Sequence, residues 1–244
     1  MANFSFGAGS LWGVSTADGV QTPIKFGTVQ EVAIETSFNK KELYGSHQFP
    51  VAIARGTGKV SCKAKFAQID GDAYNSLFFG ANMVTGQLLV SNGESGSIPA
   101  TTPFTVTTTN SSNFSEDLGV TLADGTQLTK VESTPSAGQY SVSAGVYTFN
   151  TGDASKAVLI SYTYTNSTSG KKIEVSNQLL GTSPFFSAYF TTVYNGNNVT
   201  YKLNRCMSSK LGFATKLEDF SIPEFDFDAF ADDNGKVMTI STAE

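Results

Sequence analysis

Hydrophobic and polar residues alternate along much of the chain, and this period of two predicts β-strands with one covered face. The clearest example is the segment 60–66. Its apolar members would share the core face: Val60, Cys62, Ala64 and Phe66. Residues 24–36 alternate in the same way, and a last strand is predicted at residues 236–242.

A β-hairpin is predicted in the last third of the chain. Residues 185–194 and 199–207 both have strand patterns, and Asn195-Gly196 lies between them. This dipeptide strongly favours a two-residue hairpin turn, because both of its residues tolerate positive φ. We therefore expect the two strands to pair with each other.

The best helix candidate is residues 72–79. Asp70 or Asp72 could cap its N-terminus, and Gly80 could end it, because these residue types satisfy the free backbone groups at helix ends. The sequence predicts one short helix on an otherwise β protein.

Two segments are predicted to lie outside the packed core. Residues 1–23 are rich in Gly, Ser and Thr with isolated apolar positions, which is typical of an extended arm that docks on a neighbour. Residues 38–50 are polar but carry Leu43, Tyr44 and Phe49, and they are too many for a tight hairpin turn. We interpret this second segment as a functional loop.

The composition changes between residues 85 and 166, where Ser, Thr and Gly become dense. Short aliphatic runs there are separated by turn signals at Asp124-Gly125, Gly138 and Gly145, a spacing typical of a small all-β domain. We predict an inserted Ig-like or barrel-like domain at 85–166. It would interrupt a core domain made of residues 1–84 and 167–244.

An acidic run near the C-terminus, residues 217–233, interleaves four phenylalanines with seven carboxylates. Such a run either edges a sheet or lies on a partner. Calcium prefers several carboxylate oxygens, but Phe230 and Ala231 stand where the EF-hand pattern needs a ligand and a glycine. A solvated acidic face or an interface is therefore favoured over a metal site.

Composition adds a hint of assembly. Charged residues make up only 15% of the chain, against about 25% in an average soluble domain, while aromatics reach 12%. Some of this apolar area is expected to be covered by other subunits. The net charge of −5 argues against clamping of nucleic acid phosphates but would suit a passive channel for DNA.

Candidate chemistry is sparse. His47 is the only histidine, so one chain cannot build a histidine metal site or a Ser-His-Asp arrangement, and a solvated loop histidine is the favoured interpretation. Cys62 and Cys206 each lie in a predicted strand and are expected to be reduced core thiols. No leader pattern and no apolar stretch of membrane-spanning length occurs, so we expect the protein to be made and kept in a cytosol.

Three stretches, taken in order, resemble the major tail (tail tube) proteins of tailed bacteriophages: residues 41–59 (KELYGSHQFPVAIARGTGK), 208–211 (SSKL) and 215–232 (TKLEDFSIPEFDFDAFAD). The inserted region is similar to a β module that recurs in such proteins, in residues 124–128, 138–142, 145–150 and 160–164. Together these segments are spread over most of the chain, from residue 41 to residue 232.

The resemblance implies a two-sheet β-sandwich or barrel with a flanking helix, whose subunits close into hexameric rings that stack into a hollow tube for DNA delivery. The inserted domain would decorate its outside. The implied partners are further copies of the chain, tape-measure, tail terminator and baseplate or tip proteins, and possibly a sheath. The implied location is the virion tail, assembled in the bacterial cytoplasm, with no membrane insertion, no cofactor, no metal and no enzyme activity.

The resemblance also implies that residues 38–50 reach the next ring and that the terminal segments contact neighbours. The residues predicted on this ring-stacking or subunit interface are Lys40, Lys41, Glu42, Leu43, Tyr44, His47, Phe49, Phe225 and Phe227.

Two other functions compete with this one. The Ser/Thr-rich insertion and its tyrosines would also suit a carbohydrate-binding or cell-surface-binding β module of a phage virion. A phage-associated glycosidase would need two carboxylates about 5 to 9 Å apart, and the sequence picks out no pair.

Overall fold

The computed structural model describes residues 5–16, 23–68, 71–81 and 83–242. The chain divides into two compact units. The first, here called the core unit, runs to Asn82 and resumes at Ile173, and the inserted unit is Met83–Lys172. The boundaries predicted from sequence were 84/85 and 166/167.

The described residues are mainly β. In chain order the strands are β1 Ser10–Ser15, β2 Pro23–Lys25, β3 Val29–Tyr44, β4 Pro50–Phe66, β5 Met83–Ser97, β6 Thr105–Thr107, β7 Phe114–Leu122, β8 Thr129–Lys130, β9 Gln139–Ser143, β10 Val146–Phe149, β11 Ala157–Ile173, β12 Phe185–Tyr194, β13 Asn197–Gly212, β14 Glu224–Phe230 and β15 Met238–Thr242.

One short helical segment lies in the core unit. It begins as an α-helix, α1, over Gly71–Tyr74 and continues as a π-helical turn over Asn75–Phe79. Gly80 ends it in the left-handed conformation with φ of 60°, as predicted. Asp72 lies in the first turn of α1, while Asp70, the other predicted cap, lies outside the described residues. No helix in the described part of the chain is long and apolar enough to cross a membrane.

The core unit is built on one antiparallel sheet with the order β2-β1-β12-β13-β14-β4-β3, and β15 also pairs with β13. The predicted hairpin is confirmed: Asn195 and Gly196 join β12 to β13 with φ of 48° and 80°, as a type I′ turn requires. The segment predicted as one strand over residues 24–36 is divided between β2 and β3.

The N-terminal arm prediction is wrong for residues 10–15. These residues form β1, which pairs along its whole length with β12, and Leu11 is only 1% exposed. The local sequence gives no sign of this because the pairing partner lies about 175 residues further along the chain.

The sheet of the core unit curls over itself. Phe26 directly follows β2, and Phe225 lies in β14, four strand positions away. In a flat sheet that separation would be about 19 Å, yet the two rings are 5.5 Å apart between centroids. The core unit therefore has one continuous curled sheet around a single core, and the predicted mainly β fold is confirmed.

The helical segment fills the inside of this curl. Leu77 is completely buried and lies against Gly13 of β1, where a Cβ atom would come within 2.6 Å of the Leu77 Cδ1 atom. Ser208 Oγ donates a hydrogen bond to the Leu77 carbonyl at 2.9 Å and ties the segment to β13. The helical segment is thus packed into the core, and a residue larger than glycine at position 13 would displace it.

The inserted unit has two sheets, ordered β6-β10-β9-β8 and β5-β11-β7. Its own apolar core includes Ile98, Tyr147, Ile160 and Tyr162. Asp117 is buried among these rings and accepts hydrogen bonds from the Tyr140 and Tyr147 hydroxyls, each at 2.9 Å.

Candidate assembly surface

Strands β3 and β4 extend far beyond the rest of the sheet. The neighbouring strand β14 pairs with β4 only between Val60 and Lys65, so residues 37–59 pair with one another and with no further strand in the described part of the chain, while Glu35 and Thr36 pair with Ser61 and Val60 at the base. Apart from Pro50, every residue from 35 to 59 is exposed. We call this two-stranded projection the hairpin arm (residues 35–59).

The predicted loop at residues 38–50 is therefore mostly strand. Residues 38–44 belong to β3, and the true connection is the bend at residues 45–49. Strand alternation is not visible in this part of the sequence because both faces of the ribbon are exposed, so neither face needs to be apolar.

Seven of the predicted interface residues are in or at the tip of the hairpin arm. The cross-strand pairs Lys40 with Arg55 and Glu42 with Ile53 lie on one face, and Lys41 with Ala54 and Leu43 with Ala52 lie on the other. Tyr44 ends β3, and His47 and Phe49 lie in the bend, where all three are exposed.

Large apolar side chains cover the hairpin arm. Six are more than 45% exposed: Phe38, Leu43, Tyr44, Phe49, Val51 and Ile53. Val51, Ile53 and Arg55 were not predicted as site residues, although the run of apolar residues after Pro50 was a signal that could have identified them. A two-stranded ribbon with this surface is marginally stable in water by itself, and an exposed apolar patch of this kind marks an interaction site.

The hairpin arm is basic in an acidic chain. It carries four basic and two acidic side chains, a net charge of +2, whereas the whole chain has −5. Lys40 and Lys41 make no ion pair with any described residue. Tyr44 donates a hydrogen bond to Glu42, and this bond raises the pKa of the Tyr44 hydroxyl.

Internal contacts stiffen the base of the arm. Asn39 Nδ2 donates to Thr57 Oγ1 at 2.8 Å across the two strands. The Arg55 guanidinium lies 4.7 Å above the Phe38 ring centre, which is a cation–π distance. These contacts favour a preformed projection over a disordered loop.

The prediction that Phe225 and Phe227 lie on an interface is wrong. Both are 1% exposed and pack with Phe186 in the core of the core unit. In β14 they alternate with Asp226 and Asp228, so one face of the strand is buried and the other carries the carboxylates. The phenylalanine that does reach the surface in this region is Phe220, 85% exposed.

Several carboxylates of the acidic run have structural partners. Asp228 lies 3.3 Å from Lys59, Asp233 lies 3.0 Å from Arg205, and Asp232 Oδ1 accepts the Lys236 N–H at 2.8 Å. Among the described residues no group of three or more His, Cys, Asp or Glu side chains is arranged to hold a metal ion.

One groove on the core unit has a volume of about 470 Å³. It lies between β3 and the strands β12, β13 and β15, with Val32, Ile34, Phe190, Tyr201 and Ile240 on its walls. The residues that line it carry no carboxylate, amine, imidazole or thiol.

The sequence matches no protein-family model, and it matches no curated protein.

Proposed function

We propose that this chain is a structural subunit of a phage tail tube, which forms hexameric rings that stack into a hollow conduit for DNA delivery. The observation that carries the proposal is the hairpin arm, which places six exposed apolar side chains on a ribbon that the described residues of its own chain leave uncovered. The ordered resemblance of residues 41–59, 208–211 and 215–232 to tail tube proteins supports it independently.

In this proposal the partners are other copies of the chain, together with the tape-measure, terminator, baseplate or tip proteins and a sheath where one is present. The net charge of −5 suits a conduit through which DNA slides, because an acidic chain gains little from releasing the counterions of DNA. The subunit would act in the virion tail after assembly in the host cytoplasm.

Negative-stain electron microscopy and light scattering of the purified protein at high concentration test the proposal. We expect rings or hollow tubes of uniform width. A protein that stays monomeric at every concentration and shows neither rings nor tubes would contradict it.

A matched pair of variants locates the assembly surface. Leu43 of the hairpin arm is 64% exposed, and Leu88 of the inserted unit is 57% exposed, both on strands. Leu43→Asp is expected to abolish assembly because it places a charge in an apolar contact, while Leu88→Asp should assemble like the unmodified protein. Equal effects of the two substitutions would count against the hairpin arm.

A further inference from the structure

A second exposed apolar segment lies at the other end of the β3–β4 pair. The Phe66 N–H, at the end of β4, donates to the Pro223 carbonyl at 3.3 Å, and Lys65 pairs with Glu224. We call residues 213–224 the acidic loop. Lys41, in the hairpin arm, pairs with Ala54, and twelve residues separate Ala54 from Phe66 along β4, which is about 40 Å of strand.

The acidic loop is complementary to the hairpin arm in chemistry. It exposes Phe213 (57%), Leu217 (99%) and Phe220 (85%), and its one lysine and three carboxylates give a net charge of −2. The hairpin arm has exposed apolar side chains and +2. Glu218 makes no ion pair with any described residue, as is also true of Lys40 and Lys41.

The loop holds these groups in a fixed turn. Lys216 and Asp219 form an isolated antiparallel bridge, and Ser221 Oγ donates to the Ala214 carbonyl at 2.8 Å. Leu217 and Glu218 lie at the apex of the turn, so a leucine that is 99% exposed and a carboxylate without an ion pair to any described residue are presented together.

We propose that the hairpin arm of one copy docks on the acidic loop of the next, with Lys41 facing Glu218 and with Leu43, on the same face as Lys41, and Phe49 packing on Leu217 and Phe220. This inference rests on the proposed function and names the docking surface for it. Because the two surfaces differ and lie at opposite ends of the same strand pair, each copy leaves a free surface for another, so the contact is head-to-tail and open-ended.

Another exposed segment, around Leu179 and Leu180, is a weaker candidate for the docking surface. Its leucines are 86% and 104% exposed, but the residues from 175 to 184 carry no charge to complement the hairpin arm. We therefore favour the acidic loop as the docking surface, because its net charge of −2 complements the charge of the hairpin arm.

A charge-swap experiment tests the docking. Lys41→Glu and Glu218→Lys should each raise the protein concentration needed for assembly at least tenfold, because each places like charges opposite one another. The double variant K41E/E218K should return it to within about threefold of the original, since attraction is restored with the signs exchanged. Lys236→Glu, an exposed lysine outside both surfaces, is the matched control and should have little effect.

Carbodiimide cross-linking gives an independent measurement. A zero-length link between Lys41 and Glu218 or Asp219 is expected in assembled material only, because within one copy these groups lie at opposite ends of the sheet. Mass spectrometry of mixed heavy- and light-labelled protein would identify it as intermolecular.

The outcomes separate the two proposals. If the unmodified protein assembles while K41E and E218K assemble equally well, or if the double variant shows no recovery, the docking surface is overturned and the tube subunit proposal stands. If the unmodified protein never assembles, both proposals are overturned. Circular dichroism spectra that match the unmodified protein would exclude misfolding as the cause of a lost assembly.

Discussion

The Phe225 ring touches those of Phe26, Phe78 and Phe186, whereas Phe49 lies 80% exposed at the tip of the hairpin arm. We expect Phe225→Ala to lower the free energy of unfolding by about 3–5 kcal/mol, because it leaves a cavity in a packed core. Phe49→Ala should change it by less than about 0.5 kcal/mol but should weaken assembly. Urea unfolding followed by the fluorescence of Trp12, the only tryptophan, measures the free energy of unfolding of both variants, and light scattering measures their assembly.

A Phe225→Ala variant as stable as the unmodified protein, yet unable to assemble, would contradict the assignment of Phe225 to the core and would indicate that it lies on an interface.

Asp117 is the residue on which the polar core of the inserted unit depends. Its side chain is 4% exposed and accepts from two tyrosine hydroxyls and from the Gly119 N–H, while Lys130 lies 3.1 Å away. Asp117→Ala should cost about 3 kcal/mol or more, because the donors lose a buried acceptor. Amide hydrogen exchange in β9 and β10 measures the loss.

Lys130→Ala is the control for Asp117→Ala, because the lysine is 54% exposed and its ion pair is expected to contribute less than about 1 kcal/mol. Comparable losses of protection in the two variants would show that the ion pair, and not the buried acceptor, dominates.

The thiols predict a dependence on alkaline pH. Burial, and then the charge of Asp228, raise the pKa of Cys62 from 9.0 to about 12. Since the folded state holds this proton more tightly than the unfolded state, the stabilisation is complete below about pH 9 and is lost as the pH rises towards 12. We expect the free energy of unfolding to fall more steeply between pH 8 and 10.5 in the unmodified protein than in Cys62→Ala. Parallel pH profiles would refute the assignment.

At the scale of elements, the hairpin arm should be separable from the core unit. Replacing residues 38–58 by Asn-Gly would connect Ser37 to Lys59 through a two-residue turn, and these two residues already face each other across the ribbon. The shortened protein should keep its fold, because the buried residues of β4 begin at Val60. It should no longer assemble, and light scattering with circular dichroism would show both results.

Retained assembly of the shortened protein would exclude the arm as the main contact.

The elements that the sequence predicted are those with one wet face and one buried face. Val60, Cys62, Ala64 and Phe66 are all buried as predicted, and the β12–β13 turn follows from Asn195-Gly196. The strands of the hairpin arm were missed because both of their faces are exposed. The pairing of β1 and the curl of the sheet were missed because they depend on contacts between distant parts of the chain, which no local period records.

The sequence placed some residues of the candidate surface on an exposed segment and misplaced others. The residues 40–44, 47 and 49 do lie on the exposed arm, because charged and apolar residues mixed without a period indicate an uncovered segment. Phe225 and Phe227 were misplaced, although their alternation with Asp226 and Asp228 was itself the signature of a half-buried strand.

At the scale of the whole molecule, the inserted unit is expected to be dispensable for assembly. Its buried core residues all lie between residues 98 and 162 of its own segment, and its first and last strands, β5 and β11, pair with each other. Replacing residues 83–172 by a short Gly/Ser linker should leave a core unit that folds and still forms rings or tubes under the electron microscope.

The excised segment, residues 83–172, serves as the complementary sample. Selective binding of this segment in a glycan array would support a carbohydrate-binding role for it. Failure of the protein without residues 83–172 to assemble, despite a folded core unit, would place an assembly contact in the inserted unit.

The pairing of β5 with β11 has an evolutionary consequence. The chain leaves the core unit and returns to it along two adjacent strands, so the gap to be bridged stays small however many residues lie between them, and such sites tolerate insertion. A single recombination event at these two points could therefore remove the inserted unit or exchange it for another module. Related genes would then be expected to keep the core unit while differing at this position in length, in composition or in the presence of any module at all.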